Sequence, residues 1–145
     1  MLFRSLAEVA RLMEPEAGRA GTKIVLDVAP ELPLVSGDAG LLQQACTNLV
    51  TNAIQAMPGG GTVTLAAHRG PERTIEVRVK DEGVGVAPED LDRIFRLYYT
   101  TKPGGSGIGL SMVYRIVQLH DGRIDVESEV GRGTAMVLTL PVASL

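Results

Sequence analysis

Apolar residues recur along the chain with two distinct periods, and the alternation between them predicts the elements. Leu6, Val9, Ala10, Met13 and Ala17 repeat at three and four, which predicts a helix over 3–20 that Gly18 or Gly21 can end. Pro15 lies inside that stretch and is expected to kink it or split it into two short helices. Lys23–Ala29 (KIVLDVA) is rich in β-branched residues and reads as a strand, followed by an extended connector with two prolines. A second helical period begins after Ser36 or Asp38, either of which can cap it, and runs to about Met57. The run PGGG at 58–61 stops it. Two period-two strands follow, Thr62–His68 and Thr74–Asp81, separated by the turn RGPER. Pro88 opens a short helix, PEDLDRIF. Arg96–Gly109 is irregular and glycine-rich, Leu110–Leu119 is helical, and Arg123–Ser128 with Thr134–Pro141 forms a hairpin around EVGRG. Two adjacent strand pairs and helices between them predict an α+β fold, a two-layer α/β sandwich. Its sheet is mixed and mostly antiparallel, with helices packed on one face.

Composition narrows the function classes. The chain has 145 residues, enough for one domain with a real core, and 45% of them are hydrophobic against 21% charged. The uncharged run Ala39–His68 is interrupted by Gln, Asn, Thr, Pro and Gly, so no membrane span is expected. The N-terminal stretch is amphipathic and carries acids, unlike a signal peptide. A net charge of -3, no basic block and 3% aromatics argue against a nucleic-acid surface. One cysteine, Cys46, excludes an internal disulfide framework and sits on an apolar helix stripe, where a core role is expected. Glycine, at 17 residues, is nearly twice its usual share of ~7% and is clustered.

Three constellations carry candidate chemistry. On the helix around residue 50, Gln44, Asn48, Asn52 and Gln55 form an uncharged polar stripe. Asparagine is a poor helix former, so two of them one turn apart suit a hard cation or a ligand; the alternative is an ordinary polar face. Asp81 closes a strand and is followed by Glu82-Gly83-Val84-Gly85, glycines that let a flat ligand approach the backbone; the alternative is a plain surface turn. Thr100–Leu110 (TTKPGGSGIGL) opens a helix with bare backbone N–H groups, and Lys102 adds positive charge, which together favour phosphate; the alternative is a flexible loop. Neither GxGxxG nor GxxxxGKS/T occurs, so the two common glycine-loop nucleotide folds are disfavoured.

NLVTNAIQAM, DEGVGV and IFRLYYTTKPGGSGIGLSMVYRIVQLHDGRIDVESEVGRGTAMVLTLP, in this order, resemble the asparagine, first glycine, phenylalanine and second glycine boxes of sensor histidine kinases. Over residues 20–141 the chain is similar to their ATP-binding catalytic domain, the fold shared with gyrase, Hsp90 and MutL. The resemblance implies ATP and Mg²⁺ as cofactors. It implies that Asn52 binds Mg²⁺ with Asn48 beside it or beside the γ-phosphate. Asp81 would accept the adenine amino hydrogens, Gly83 and Gly85 would floor the pocket, and Thr134 would support Asp81. Lys102, Gly105, Ser106, Gly107, Gly109 and Leu110 would line the phosphates, within a lid over Ile94–Gly109 anchored by Phe95 and mobile until nucleotide binds. Asn48 and Lys102 would be the catalytic pair.

Two departures from the pattern stand out. Thr100 lies near where many kinases carry an arginine for the γ-phosphate, a role Lys102 is expected to take. Tyr98 and Tyr99 stand where phenylalanine is commoner. Neither His68 nor His120 has the context of a phosphoacceptor, so the acceptor histidine is expected on a separate dimerisation domain, from which a response regulator would be charged. Residues 1–20 would be the helical segment after that domain and 21–145 the catalytic domain. The chain alone is expected to be monomeric, the intact kinase a homodimer, and both cytoplasmic, without nucleic-acid or direct membrane contact. Hydrolysing relatives carry Glu where Asn48 stands, so idle ATP hydrolysis is expected to be slow. A serine kinase of the anti-sigma type and a non-enzymatic nucleotide-binding module are the competing readings.

Overall fold

The computed structural model of the chain describes residues 2–85, 87–90 and 109–143. The described residues form three helices and five strands: α1 (Leu2–Arg19), β1 (Thr22–Val28), α2 (Ala39–Gln55), β2 (Gly61–Arg69), β3 (Thr74–Lys80), α3 (Gly109–Leu119), β4 (Arg123–Glu129) and β5 (Gly133–Pro141). Pro88–Asp90 is a single 3-10 turn; the remainder of the expected helix PEDLDRIF and the expected lid apart from Gly109, with Phe95, Tyr98, Tyr99, Thr100 and Lys102, lie outside the described residues.

The strands form one mixed sheet in the order β1-β2-β3-β5-β4. Among the described strands only β1 and β2 run parallel; β2–β3, β3–β5 and β4–β5 are antiparallel. The parallel pair needs a crossover, and α2 supplies it. Pairing puts Ala67, Val77, Leu138 and Ile124 in one row, and Leu65, Val79, Met136 and Val126 in the next. These rows face the helices and meet Leu6, Val9, Met13, Leu49, Val50, Val113 and Ile116 in a single core. The opposite rows are mostly polar, although Ala135 and Val137 of β5 are buried there. Arg78 reaches across β5 to Glu127, donating at 3.0 and 3.3 Å, and lies 3.7 Å from Glu76, which stands 3.4 Å from His68. The Glu127 carboxylate holds the Arg78 guanidinium above its ordinary pKa. Exposed pairs of this kind contribute little individually. They keep the outer face wet and the helices on one side, the two-layer arrangement that the strand pattern predicts.

α1 departs from expectation: it runs unbroken through Pro15. The buried stripe Leu6, Val9, Ala10, Met13 and Ala17 continues on both sides of the proline. Pro15 and Arg11, whose carbonyl loses its helical partner, are both exposed, so water replaces the missing bond. Core packing of the whole stripe outweighs one lost hydrogen bond. Gly21, at φ +70°, then turns the chain into β1. Asp38, not Ser36, caps α2: its Oδ1 accepts the Leu41 N–H at 3.0 Å.

Candidate nucleotide site

β3 ends beside the start of β5, and Asp81 is the first residue beyond β3 there. It is only 6% exposed. Its N–H donates to the Thr134 carbonyl at 2.8 Å. Its Oδ1 accepts the N–H of Gly83 at 2.8 Å and of Thr134 at 3.2 Å. A buried carboxylate is costly without such donors, and two backbone N–H groups offset part of that cost and fix its direction. Thr134 is itself held: its hydroxyl lies 2.9 Å from the Ser128 hydroxyl.

The loop after Asp81 is wedged between two backbones, which explains its glycines. A Cβ on Gly83 would lie 2.4 Å from the Ala56 carbonyl oxygen at the end of α2. On the other side, a Cβ on Gly85 would lie 2.4 Å from the Glu129 carbonyl oxygen, and Gly85 has φ +77°. Two further bonds lock the loop: Thr62 N–H donates to Glu82 Oε1 at 2.9 Å, and Gly131 N–H to the Val84 carbonyl at 3.0 Å. The result is a rigid floor of exposed backbone around one buried acid.

α2 ends against this floor. Asn52 lies one turn before Ala56, and Asn48 one turn earlier, so the stripe climbs away from Asp81 at ~5.4 Å per turn. Asn48 and Asn52 are half-buried, whereas Gln44 and Gln55 are exposed. The stripe faces α3 as it climbs. Gln44 Nε2 donates to the Met112 sulfur at 3.1 Å and Asn48 Nδ2 to the same sulfur at 3.6 Å. One methionine on an apolar helix face gives no sequence signal of a polar contact, so the place of Met112 is visible only in the structure. Gly109 and Leu110, both half-buried, open α3. Lys102, Gly105, Ser106 and Gly107 lie outside the described residues.

This donor set suits a magnesium nucleotide. Among the described residues no group of three His, Cys, Asp or Glu is poised to hold a metal. A cation beside Asn48 and Asn52 would therefore draw on amide oxygens and on oxygens that the ligand brings, as Mg²⁺ with a triphosphate does. Cys46 plays no part: it is buried in the core, and burial pushes its thiol up to about 12.

Residues 37–144 match the model of the histidine kinase-, DNA gyrase B- and HSP90-like ATPases, and the chain belongs to that family. Among its individual relatives, sporulation kinase E of Bacillus subtilis is 35% identical over 131 residues, which are 90% of this chain and 18% of that protein. The adaptive-response sensory kinase SasA of Synechococcus elongatus is 40% identical over 124 residues, 83% of this chain and 32% of that protein. The chain thus spans well under half the length of either. Full-length ShkA, solved in complex with AMPPNP, superposes with a TM-score of 0.91 at 32% identity over 100% of this chain and 31% of its own. The catalytic domain of histidine kinase ThkA does so with a TM-score of 0.87 at 27% identity, covering 97% of this chain and 92% of its own. Among the described residues no helix is long and apolar enough to cross a membrane.

Proposed function

We propose that this chain is the ATP-binding catalytic domain of a sensor histidine kinase, transferring the γ-phosphoryl group to a histidine on a separate dimerisation domain for relay to a response regulator. The observation that carries the reading is the buried Asp81 carboxylate, aimed by two backbone N–H groups above a glycine floor. Asp81 accepts the adenine amino hydrogens, Thr134 holds its direction, and Gly83 and Gly85 let the base lie against the backbone. Asn52 and Asn48 offer oxygens to Mg²⁺. Lys102, Gly105, Ser106, Gly107, Gly109 and Leu110 would bind and orient the triphosphate, with Asn48 and Lys102 as the catalytic pair. Bound Mg²⁺ supplies charge neutralisation between the phosphates. Asn48, a neutral amide, is a poor base for water, which keeps idle hydrolysis slow.

Residues 1–20 would follow the phosphoacceptor helices, and 21–145 form the catalytic domain of a cytoplasmic, homodimeric kinase whose isolated catalytic chain is monomeric. The test is calorimetry of the 145-residue chain with ATP and Mg²⁺, then transfer from γ-labelled ATP to a supplied histidine-bearing dimerisation domain. Saturable binding, strengthened by Mg²⁺, and label on the acceptor are expected. Binding without transfer to any acceptor leaves a nucleotide-binding module, and no binding removes the reading altogether.

A further inference from the structure

α2 and α3 run antiparallel, and the site described above occupies one end of the pair. There the contact is soft: a thioether, Met112, receives Gln44 and Asn48. At the other end stands a pair of directional bonds. The Asp38 N–H donates to His120 Nε2 at 3.0 Å. His120 Nδ1 lies 2.7 Å from the Ile116 carbonyl oxygen, one turn back in α3. A backbone N–H can only donate and a carbonyl can only accept, so the ring is the Nδ1–H tautomer with both nitrogens used. Gly37 presses on the ring: its φ is +149°, and a Cβ there would lie 2.1 Å from His120 Cδ2. Asp38 is also the residue that caps α2. One residue therefore starts α2 and receives the end of α3.

We infer that His120 is a positioning residue for the nucleotide site, and this rests on the nucleotide reading above. It lies ten residues of α2, ~15 Å, from Asn48, and among the described residues its hydrogen-bond partners, Asp38 and Ile116, stand outside the site. Between the two ends α2 and α3 meet through apolar side chains, Val113 and Ile116 among them. Apolar contact resists separation but is not directional, so it permits α3 to slide and rotate on α2. Hydrogen bonds are directional. The His120 link fixes the register of α3 on α2, and with it the place of Met112 against Gln44 and Asn48.

Three variants separate this role from plain stabilisation. In His120→Gln, Oε1 reaches the place of Nε2 and still accepts the Asp38 N–H. In His120→Asn the shorter side chain reaches only the Ile116 carbonyl, and His120→Phe keeps ring volume without either bond. ATP affinity with Mg²⁺ is measured by calorimetry at a temperature where circular dichroism shows each variant fully folded. The expected dissociation constant rises about three- to tenfold for Asn and Phe, the value of one hydrogen bond, and stays near wild type for Gln. Lower melting temperatures with unchanged affinity in Asn and Phe would overturn the inference, as would a Gln variant as weak as Phe. If Phe does not fold, the Gln–Asn comparison decides. A ligand-free readout is independent of the nucleotide: imidazole ¹⁵N shifts should report Nδ1–H, with the Asp38 amide protected from exchange. An Nε2–H tautomer ends the inference even if ATP binds. Failure of the wild-type chain to bind ATP, with the tautomer as expected, counts against the nucleotide reading and not against the link.

Discussion

Asp81 and Thr134 are bonded to each other twice, once through backbone alone and once through the Asp81 carboxylate. The acid is thus tied to the strand pairing itself. In Asp81→Asn, the amide oxygen can still accept the Gly83 and Thr134 N–H groups, so the fold should survive. The charge-assisted bond to an adenine amino group is lost, a change of ~1.5–3 kcal/mol. ATP affinity should fall about tenfold or more with little change in melting temperature, as calorimetry and circular dichroism will read. Unchanged affinity would place the base elsewhere.

Two glycines should respond to alanine with opposite signs. Gly83 abuts the Ala56 carbonyl, a backbone atom that cannot swing aside. Gly83→Ala should cost ~1–3 kcal/mol of stability and weaken ATP binding as well. Gly18 lies inside α1 with nothing among the described residues within 4 Å of a built Cβ. Gly18→Ala should raise stability by ~0.5–1 kcal/mol and leave binding alone. Urea titrations of both variants check the pair.

How far the site was legible depended on whether its parts were local. DEGVGV announced the floor, because glycine spacing after a strand is written in adjacent residues. Its cause was not legible: Ala56 and Glu129, the backbones that forbid side chains at Gly83 and Gly85, are 27 and 44 residues away. The asparagine stripe was visible from its period, but its facing residue, Met112, belongs to another helix. The strands were placed to within a residue or so by β-branched content and alternation. Pro15 predicts a break because local helix chemistry carries no trace of the core that α1 covers. The role of His120 is not legible in the sequence, since its partner Asp38 lies 82 residues away.

Thr22 carries a buried hydroxyl with no hydrogen-bond partner among the described residues. Such a group loses water and gains nothing in return. Valine has the same shape and suits a strand. Thr22→Val should therefore be stabilising, by about 1 kcal/mol. A thermal melt a few degrees higher is the expected result, and a lower one would show that the hydroxyl has a role in the folded state.

Cys46 makes alkaline stability readable. Its thiol ionises near 9.0 when exposed and at about 12 when buried. Between those values the unfolded chain binds fewer protons than the folded one, so stability falls as pH rises. Cys46 contributes up to ~1.4 kcal/mol per pH unit to that fall, and nothing below pH ~9. Subtracting the urea-derived stability profile of Cys46→Ala from that of the wild type should isolate this slope. A flat difference from pH 9 to 11 would mean the thiol is reachable by water.

The single parallel pairing in the sheet has a mechanical consequence. β2 and β3 are joined through residues 70–73 and β4 and β5 through 130–132, so each pair closes as a short zipper. β1 reaches β2 only after the whole of α2, and it holds one outer edge of the sheet. A load applied to α1 is therefore borne first by the α1–β1 flank, whose loop-closure entropy on re-forming is the larger. The hairpins, and the Asp81–Thr134 corner between them, should outlast it. In an optical-trap experiment pulling from residue 2, α1 and β1 should release together as an early step, with the rest of the sheet rupturing later as one body.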